Sequence, residues 1–313
     1  MLLAVAMLAQ PLSALAAYRV LEHIEAGADT WSLWVRYASS AAPDVLFVGD
    51  SRVRQDVDVV GISLELSAQA GRTVTVSRLG LSNADPALLD TVLYRVMSRA
   101  SRPRTVVISL AEFAFNASYQ PDRTADYWQL SFPPDAGFLR VALAHDWNRS
   151  RLAAGWAVPL VAHAPILAQG VQCAVQPSAS CSAAAHLHDE RMTQATRDLI
   201  LTYYINLYLR DFKWSETELH DLLSAAERVR ASGSRLAFVV MPINGIAELS
   251  EPFYTEYLEH MRTLAAANKI PIADLHAAVD KSDWSLWADP SHLNDRGAAL
   301  FAPHLVAVVS RAT

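Results

Sequence analysis

A serine hydroxyl becomes a nucleophile at neutral pH when a histidine takes its proton and a carboxylate holds that histidine in place. Three residues of this chain have those types in surroundings that suit the task. Ser51 stands in Gly49-Asp50-Ser51-Arg52, directly after a short apolar run and directly before a helix. A serine at a strand-to-helix turn is exposed at the carboxyl edge of a sheet, where open α/β folds bind ligands. The adjoining helix start offers backbone N–H groups that can face an oxyanion. Near the other end, Trp287-Ala288-Asp289-Pro290-Ser291-His292-Leu293-Asn294 precedes Gly297 and a final helix. An Asp and a His three residues apart can converge in one tight turn. There His292 would serve as general base, and Asp289 would hold the imidazole tautomer and stabilise its charged form. Plain alternatives stand beside this reading: an ordinary Gly-Asp-Ser turn, and a histidine capping the last helix next to an Asp-Pro turn.

Such residues meet only if the elements between them place them. Residues 44–49 form an apolar run ending at Gly, the pattern of a buried parallel strand. Residues 57–70 suit a helix, and 73–77 alternate with β-branched residues as a second strand. Asp85-Pro86 supplies an N-cap and a proline at the first helical position for a helix to about residue 99. Strands follow at 105–110, 236–241 and 270–274, with helices at 216–231, 253–268 and 297–311. Alternating strands and helices predict an α/β three-layer sandwich around a central, mostly parallel five-stranded sheet. The stretch of about 117–215 breaks that rhythm and reads as a large helical or irregular insertion. It carries several aromatics and an uncharged run at 152–172, which suits a core helix or a surface that docks a membrane or partner.

With 313 residues, 26 Lys and Arg against 32 Asp and Glu, and a net charge of −6, the chain has no basic surplus for nucleic acid. A hydrophobic fraction of 52% with 19% charged residues excludes a disordered chain. Residues 1–17 carry no charge. Within a segment of about 1–25 they read as a signal peptide, a membrane anchor or a docked helix. Residues 26–313 would then form the body of the protein. Cys173 and Cys181, the only two cysteines, lie in a Ser/Ala/Gln/Pro-rich stretch. They read as a local disulfide, which needs an oxidising compartment, or as two free thiols. With the N-terminus, this points to an extracytoplasmic, periplasmic body anchored to the inner membrane. His186 and His188 lack a third ligand nearby, so no metal is expected, and no cofactor is implied.

The strand ending in Gly-Asp-Ser and the late Asp-x-x-His before the last helix resemble the SGNH/GDSL hydrolase superfamily. The likeness covers roughly 44–116 and 217–313. It implies that Ser51 is the nucleophile, that Asp289 and His292 complete a triad, and that the amides of Ser51 and Gly80 hold the oxyanion. One block departs. The family commonly has Gly-x-Asn-Asp after the third strand, where the Asn completes the hole. Here Leu110-Ala111-Glu112-Phe113-Ala114-Phe115-Asn116 stands in its place, with Asn116 or Asn83 as substitutes. The ending Trp287-x-Asp289-x-x-His292-Leu293-Asn294-x-x-Gly297 and the segment 239–244 narrow the likeness. They resemble membrane-anchored extracytoplasmic SGNH-like proteins of the alginate-acetylation and DltD-like type. That group implies transfer of a small acyl group to or from a cell-envelope polysaccharide, beside a membrane-bound O-acyltransferase. An esterase and a non-catalytic glycan-binding or scaffold module are the alternatives. Arg52 and Arg54 would contact an anionic substrate or form a solvated first turn. Trp287, with Trp284, would stack on a sugar or pack the final loop.

Overall fold

The structure, a computed structural model, describes residues 42–81, 83–119 and 192–312. They fall within one compact unit formed by Ala41–Gln120 and Leu187–Thr313. The N-terminal segment, both cysteines, His186, His188 and the run at 152–172 lie outside the described residues. The unit takes the chain up again at Leu187, within the stretch expected as an insertion.

Five strands form the sheet: β1 (Val45–Gly49), β2 (Val76–Gly80), β3 (Thr105–Leu110), β4 (Arg235–Val240) and β5 (Ile272–Asp274). Their order is β2-β1-β3-β4-β5 and every neighbouring pair is parallel. β1 and β3 are buried at every position. That is the mark of strands covered on both faces, and it explains why they read as unbroken apolar runs. The order reverses between β1 and β3, and the crevice beyond the carboxyl ends of such strands is where doubly wound sheets bind ligands.

Helices cover both faces. α1 (Ser51–Asp56) and α2 (Val59–Ala70) follow β1, α3 (Pro86–Met97) follows β2, and α4 (Gln194–Tyr204) and α5 (Glu216–Ala231) precede β4. The short α6 (Ile246–Leu249) and α7 (Phe253–Ala267) precede β5, and α8 (Asp295–Arg311) closes the chain. Val45, Phe47, Val107, Ala237 and Val239 share one core with Ile62 and Leu66 of α2 and with Phe301, Leu305 and Val309 of α8. On the other side, α3 packs against α5. The Asp85 cap is the one the sequence announces, and the last helix is capped by Asn294 where a histidine is the alternative reading. Asp85 accepts from the Leu88 amide at 2.8 Å with Pro86 at the first helical position. The Asn294 side chain accepts from the Gly297 amide at 3.0 Å. Among the described residues no helix is long and apolar enough to cross a membrane.

Strand two lies three residues later than the alternation at 73–77 predicts. The Val74 amide and carbonyl are taken by the hydroxyls of Ser67 and Ser63 on α2. The amide and hydroxyl of Thr75 donate to the Asp44 carboxylate at 3.0 and 3.2 Å. A β-branched run shows extended backbone but not which group its amides will find. Here side chains take them first, and the ladder proper starts at Val76.

Candidate active site

β1 delivers the Gly-Asp-Ser turn to the carboxyl edge of the sheet. A Cβ on Gly49 would fall 2.6 Å from Ser109 Cβ of β3 and 2.6 Å from a Val53 methyl. The close approach of strand and helix therefore demands the glycine. Asp50 caps α1, accepting from the Arg52 amide at 3.1 Å. Ser51 opens the helix and is only partly buried.

The second half of the site is a hairpin of β6 (Trp287–Asp289) and β7 (His292–Leu293), joined by Pro290 and Ser291, with Asp289 paired across from His292. The hairpin turns His292 toward α1. Ser51 Oγ lies 2.8 Å from His292 Nε2, across 241 positions of sequence. On the far side of the ring, Nδ1 lies 2.7 Å from Asp289 Oδ2. Burial alone would raise the Asp289 carboxyl. The neighbouring His292 ring and the hydrogen bonds from His292 and Ser291 outweigh it and hold the group below its ordinary value. An ionised Asp289 makes Nδ1 the protonated nitrogen and leaves Nε2 to accept the Ser51 proton. The hydrogen-bond chain therefore runs unbroken from hydroxyl to carboxylate, in the arrangement a triad requires.

Ser291 has a part that its place in the motif does not announce. Its amide donates to Asp289 Oδ1 at 2.7 Å and its hydroxyl donates to the same oxygen at 2.8 Å. One oxygen of Asp289 is thus committed to the turn and the other to the imidazole. An Asp followed two residues later by Ser is the signal for such a turn. The loop after β4 braces the hairpin from outside, where the Asn244 amide donates to the Pro290 carbonyl at 2.8 Å.

Gly80 ends β2 beside α1. A Cβ there would stand 2.2 Å from the Arg54 amide nitrogen, so packing alone already requires glycine. Arg54 itself is half-buried in the last turn of α1.

Three expected contacts are corrected. Arg52 does not face a substrate: it is 1% exposed, with Nε 2.9 Å from Asp50 Oδ2 and Nη1 3.1 Å from Glu112 Oε2. A charge removed from water needs such partners, and they come from the ends of two adjacent strands. Asn116 is no oxyanion donor. It is buried, with Nδ2 donating to the Tyr208 carbonyl at 2.8 Å and Oδ1 accepting from the Ser118 and Lys213 amides. Trp287 packs into the core, its ring nitrogen donating to the Asp280 carbonyl at 3.0 Å. Trp284 is half-buried with the Arg197 guanidinium 4.1 Å over its ring, so a cation already occupies that face. Glu112, at the place of the family's asparagine, is fully buried between Arg52 and the Tyr204 hydroxyl, which donates to Oε1 at 2.6 Å.

No family model matches this sequence, and no curated protein does. Among solved structures the chain is similar to a candidate acylhydrolase from Bacteroides fragilis NCTC 9343, at 13% identity over 88% of this chain and 93% of that one, with a TM-score of 0.40. It is similar to a GDSL-like lipase from Bacteroides thetaiotaomicron VPI-5482, at 12% identity over 89% and 97% of the two chains, TM-score 0.41. A member of the lipolytic G-D-S-L family from Veillonella parvula DSM 2008 is a third, at 13% identity over 85% and 98%, TM-score 0.38.

Proposed function

We propose that this chain is an SGNH-type serine enzyme that moves a small, acetyl-like acyl group to or from hydroxyls of a cell-envelope polysaccharide through an acyl-Ser51 intermediate. The observation that carries the reading is the unbroken hydrogen-bond chain Ser51–His292–Asp289, at 2.8 and 2.7 Å. In the first half-reaction His292 Nε2 takes the Ser51 proton as Oγ attacks the acyl carbonyl. The amides of Ser51 and Gly80 hold the oxyanion. The intermediate collapses, the bond to the leaving oxygen breaks, and His292 returns the proton to it. In the second half a sugar hydroxyl gives its proton to His292 and takes the acyl group, restoring Ser51. The resemblance of the hairpin motif to envelope acyl-transfer proteins supports a glycan acceptor. The uncharged N-terminal segment supports an inner-membrane anchor beside a membrane-bound O-acyltransferase.

Hydrolysis is the second reading, because water reaching the part-exposed Ser51–His292 pair would take the acyl group by the same steps. Intact mass after p-nitrophenyl acetate, for the wild type beside Ser51→Ala, tests the proposal. One acetyl mapped to Ser51 and absent from the variant is expected. Discharge of that adduct faster with added oligosaccharide than in water supports transfer, and discharge unaffected by sugar makes the protein an esterase. No adduct overturns the enzyme reading in favour of a binding module.

A further inference from the structure

The hydrogen bond between Ser51 and His292 joins two parts of the chain that local structure does not connect. Ser51 rides on α1, and His292 rides on a two-stranded hairpin outside the main sheet. A triad needs its base held to a fraction of an ångström, because a 1 Å misplacement can cost about 10²-fold in rate. A further side chain spans the two parts directly. Asp56, the last residue of α1, is 0% exposed, and its Oδ1 accepts from the Leu293 amide at 2.8 Å, across 237 positions of sequence. Leu293 is the neighbour of His292 on β7 and is itself buried. The helix that begins with the nucleophile thus ends by gripping the strand that carries the base.

We propose that Asp56 is the positioning residue of this site: through the Leu293 amide it fixes the hairpin to α1 and so sets the reach from His292 Nε2 to Ser51 Oγ. The inference rests on the acyl-transfer reading given above. A carboxyl has two properties here, shape and charge, and the surroundings select the shape. Oδ2 of Asp56 is buried without a hydrogen-bond partner among the described residues. The charges that face it are Arg52 and Asp50 at the start of its own element, Asp289 on β6 and Arg78 on β2. Burial is the largest influence and pushes the Asp56 carboxyl well above its ordinary value. Asp50 and Asp289 push the same way, and the Leu293 amide and Arg52 oppose them without prevailing. The surroundings thus favour the uncharged form of Asp56, whose Oδ1 serves as an acceptor for the Leu293 amide. In that form it adds no second negative charge beside Asp289.

The separation of shape from charge gives a test. Full-length wild type, Ser51→Ala, Asp56→Asn and Asp56→Val are compared by the burst of p-nitrophenol over a range of pH and by thermal unfolding. Asparagine keeps the acceptor and the neutrality, so Asp56→Asn should acylate at the wild-type rate with the same pH midpoint. Valine removes the acceptor, so Asp56→Val should lose about 10- to 100-fold in acylation rate with KM unchanged. If that variant does not fold, Asp56→Ser, too short to reach the amide, takes its place with the same expected loss. The low-field proton on His292 Nδ1 reads the geometry without turnover. It should persist in Asp56→Asn and be lost to exchange in Asp56→Val or Asp56→Ser. Wild-type rates in the variants lacking the acceptor would overturn the proposal. So would failure of Asp56→Asn, or a fall in its pH midpoint, either of which would mean that an ionised carboxylate acts on His292. Should the wild type show no acyl-Ser51, the acyl-transfer reading fails, and the proton signal still decides whether Asp56 holds His292.

Discussion

Ser51 is an ordinary hydroxyl with a ring nitrogen 2.8 Å away that can take its proton. The ring is useful because Asp289 decides which nitrogen carries the proton. Asp289→Asn would leave the hairpin folded, since the amide oxygen can still accept from Ser291. It would present an N–H or a neutral oxygen to Nδ1 and lose the charge that stabilises the imidazolium. We expect acylation of Ser51 to fall by roughly 10³- to 10⁴-fold with the unfolding midpoint little changed. Stopped-flow release of p-nitrophenol beside a urea titration checks it. A variant that acylates within a few-fold of wild type would remove Asp289 from the triad. At this scale the sequence singles out Ser51, His292 and Asp289 by type and spacing, and the structure brings the three side chains within hydrogen-bond distance of one another in turn. The place of Arg52 was not legible. An arginine after a nucleophile reads as solvent-facing, because nothing local reveals Glu112, sixty positions on, as its partner.

Elements act through their packing. β2 and α1 approach so closely at Gly80 that a methyl group would sit 2.2 Å from the Arg54 amide nitrogen. Since α1 begins with Ser51, a shove at its last turn moves the Ser51 hydroxyl. Gly80→Ala keeps the backbone amide proposed to hold the oxyanion and changes only the packing. Overpacking of this kind typically costs about 1–3 kcal/mol. We expect a lowered urea midpoint together with a fall of about 10- to 100-fold in acylation rate. Unchanged stability and rate would show that α1 can yield at no cost. Strand and helix positions were largely readable. β3 and α5 stand where apolar runs and periodicity place them, and the Asp85-Pro86 start of α3 carries its own capping chemistry. β2 shifted because Ser63, Ser67 and Asp44, residues of other segments, hold the backbone of Val74 and Thr75.

Across the molecule, a buried polar bridge spans the point where the strand order reverses. Arg52 links Asp50 at the end of β1 to Glu112 beyond β3, and Glu112 takes the Tyr204 hydroxyl from α4. Three distant segments meet beneath Ser51. Burial would lower the Arg52 guanidinium, but Asp50 and Glu112 override it and raise it well above its ordinary value. Arg52→Met would leave two buried carboxylates without their counter-charge. Loss of one partner from a buried pair costs about 3–5 kcal/mol. Adding Glu112→Gln should restore part of that loss, since it removes an uncompensated charge. Urea unfolding of the two variants decides the matter. A single variant within about 1 kcal/mol of wild type would show that the bridge is not structural.

What the sequence determines by itself is local. Apolar runs, period and caps follow from contacts a few residues apart, and so does the Asp-x-x-His turn, whose two side chains close on each other within one hairpin. The parallel direction of the strands follows from the same alternation, because parallel strands need crossover helices, whereas their order β2-β1-β3-β4-β5 is set by the tertiary structure. Tertiary structure alone decides which charges are buried and what they meet. Arg52 and Asn116 are polar residues whose patterns read as surface or as site, and Asp56 and Glu112 are polar residues that carry no signal of their own. Each is instead held inside by a partner at least 60 positions away. Desolvation makes a buried polar group depend wholly on such partners, and a partner contributed by another strand or helix is visible only once the chain has folded.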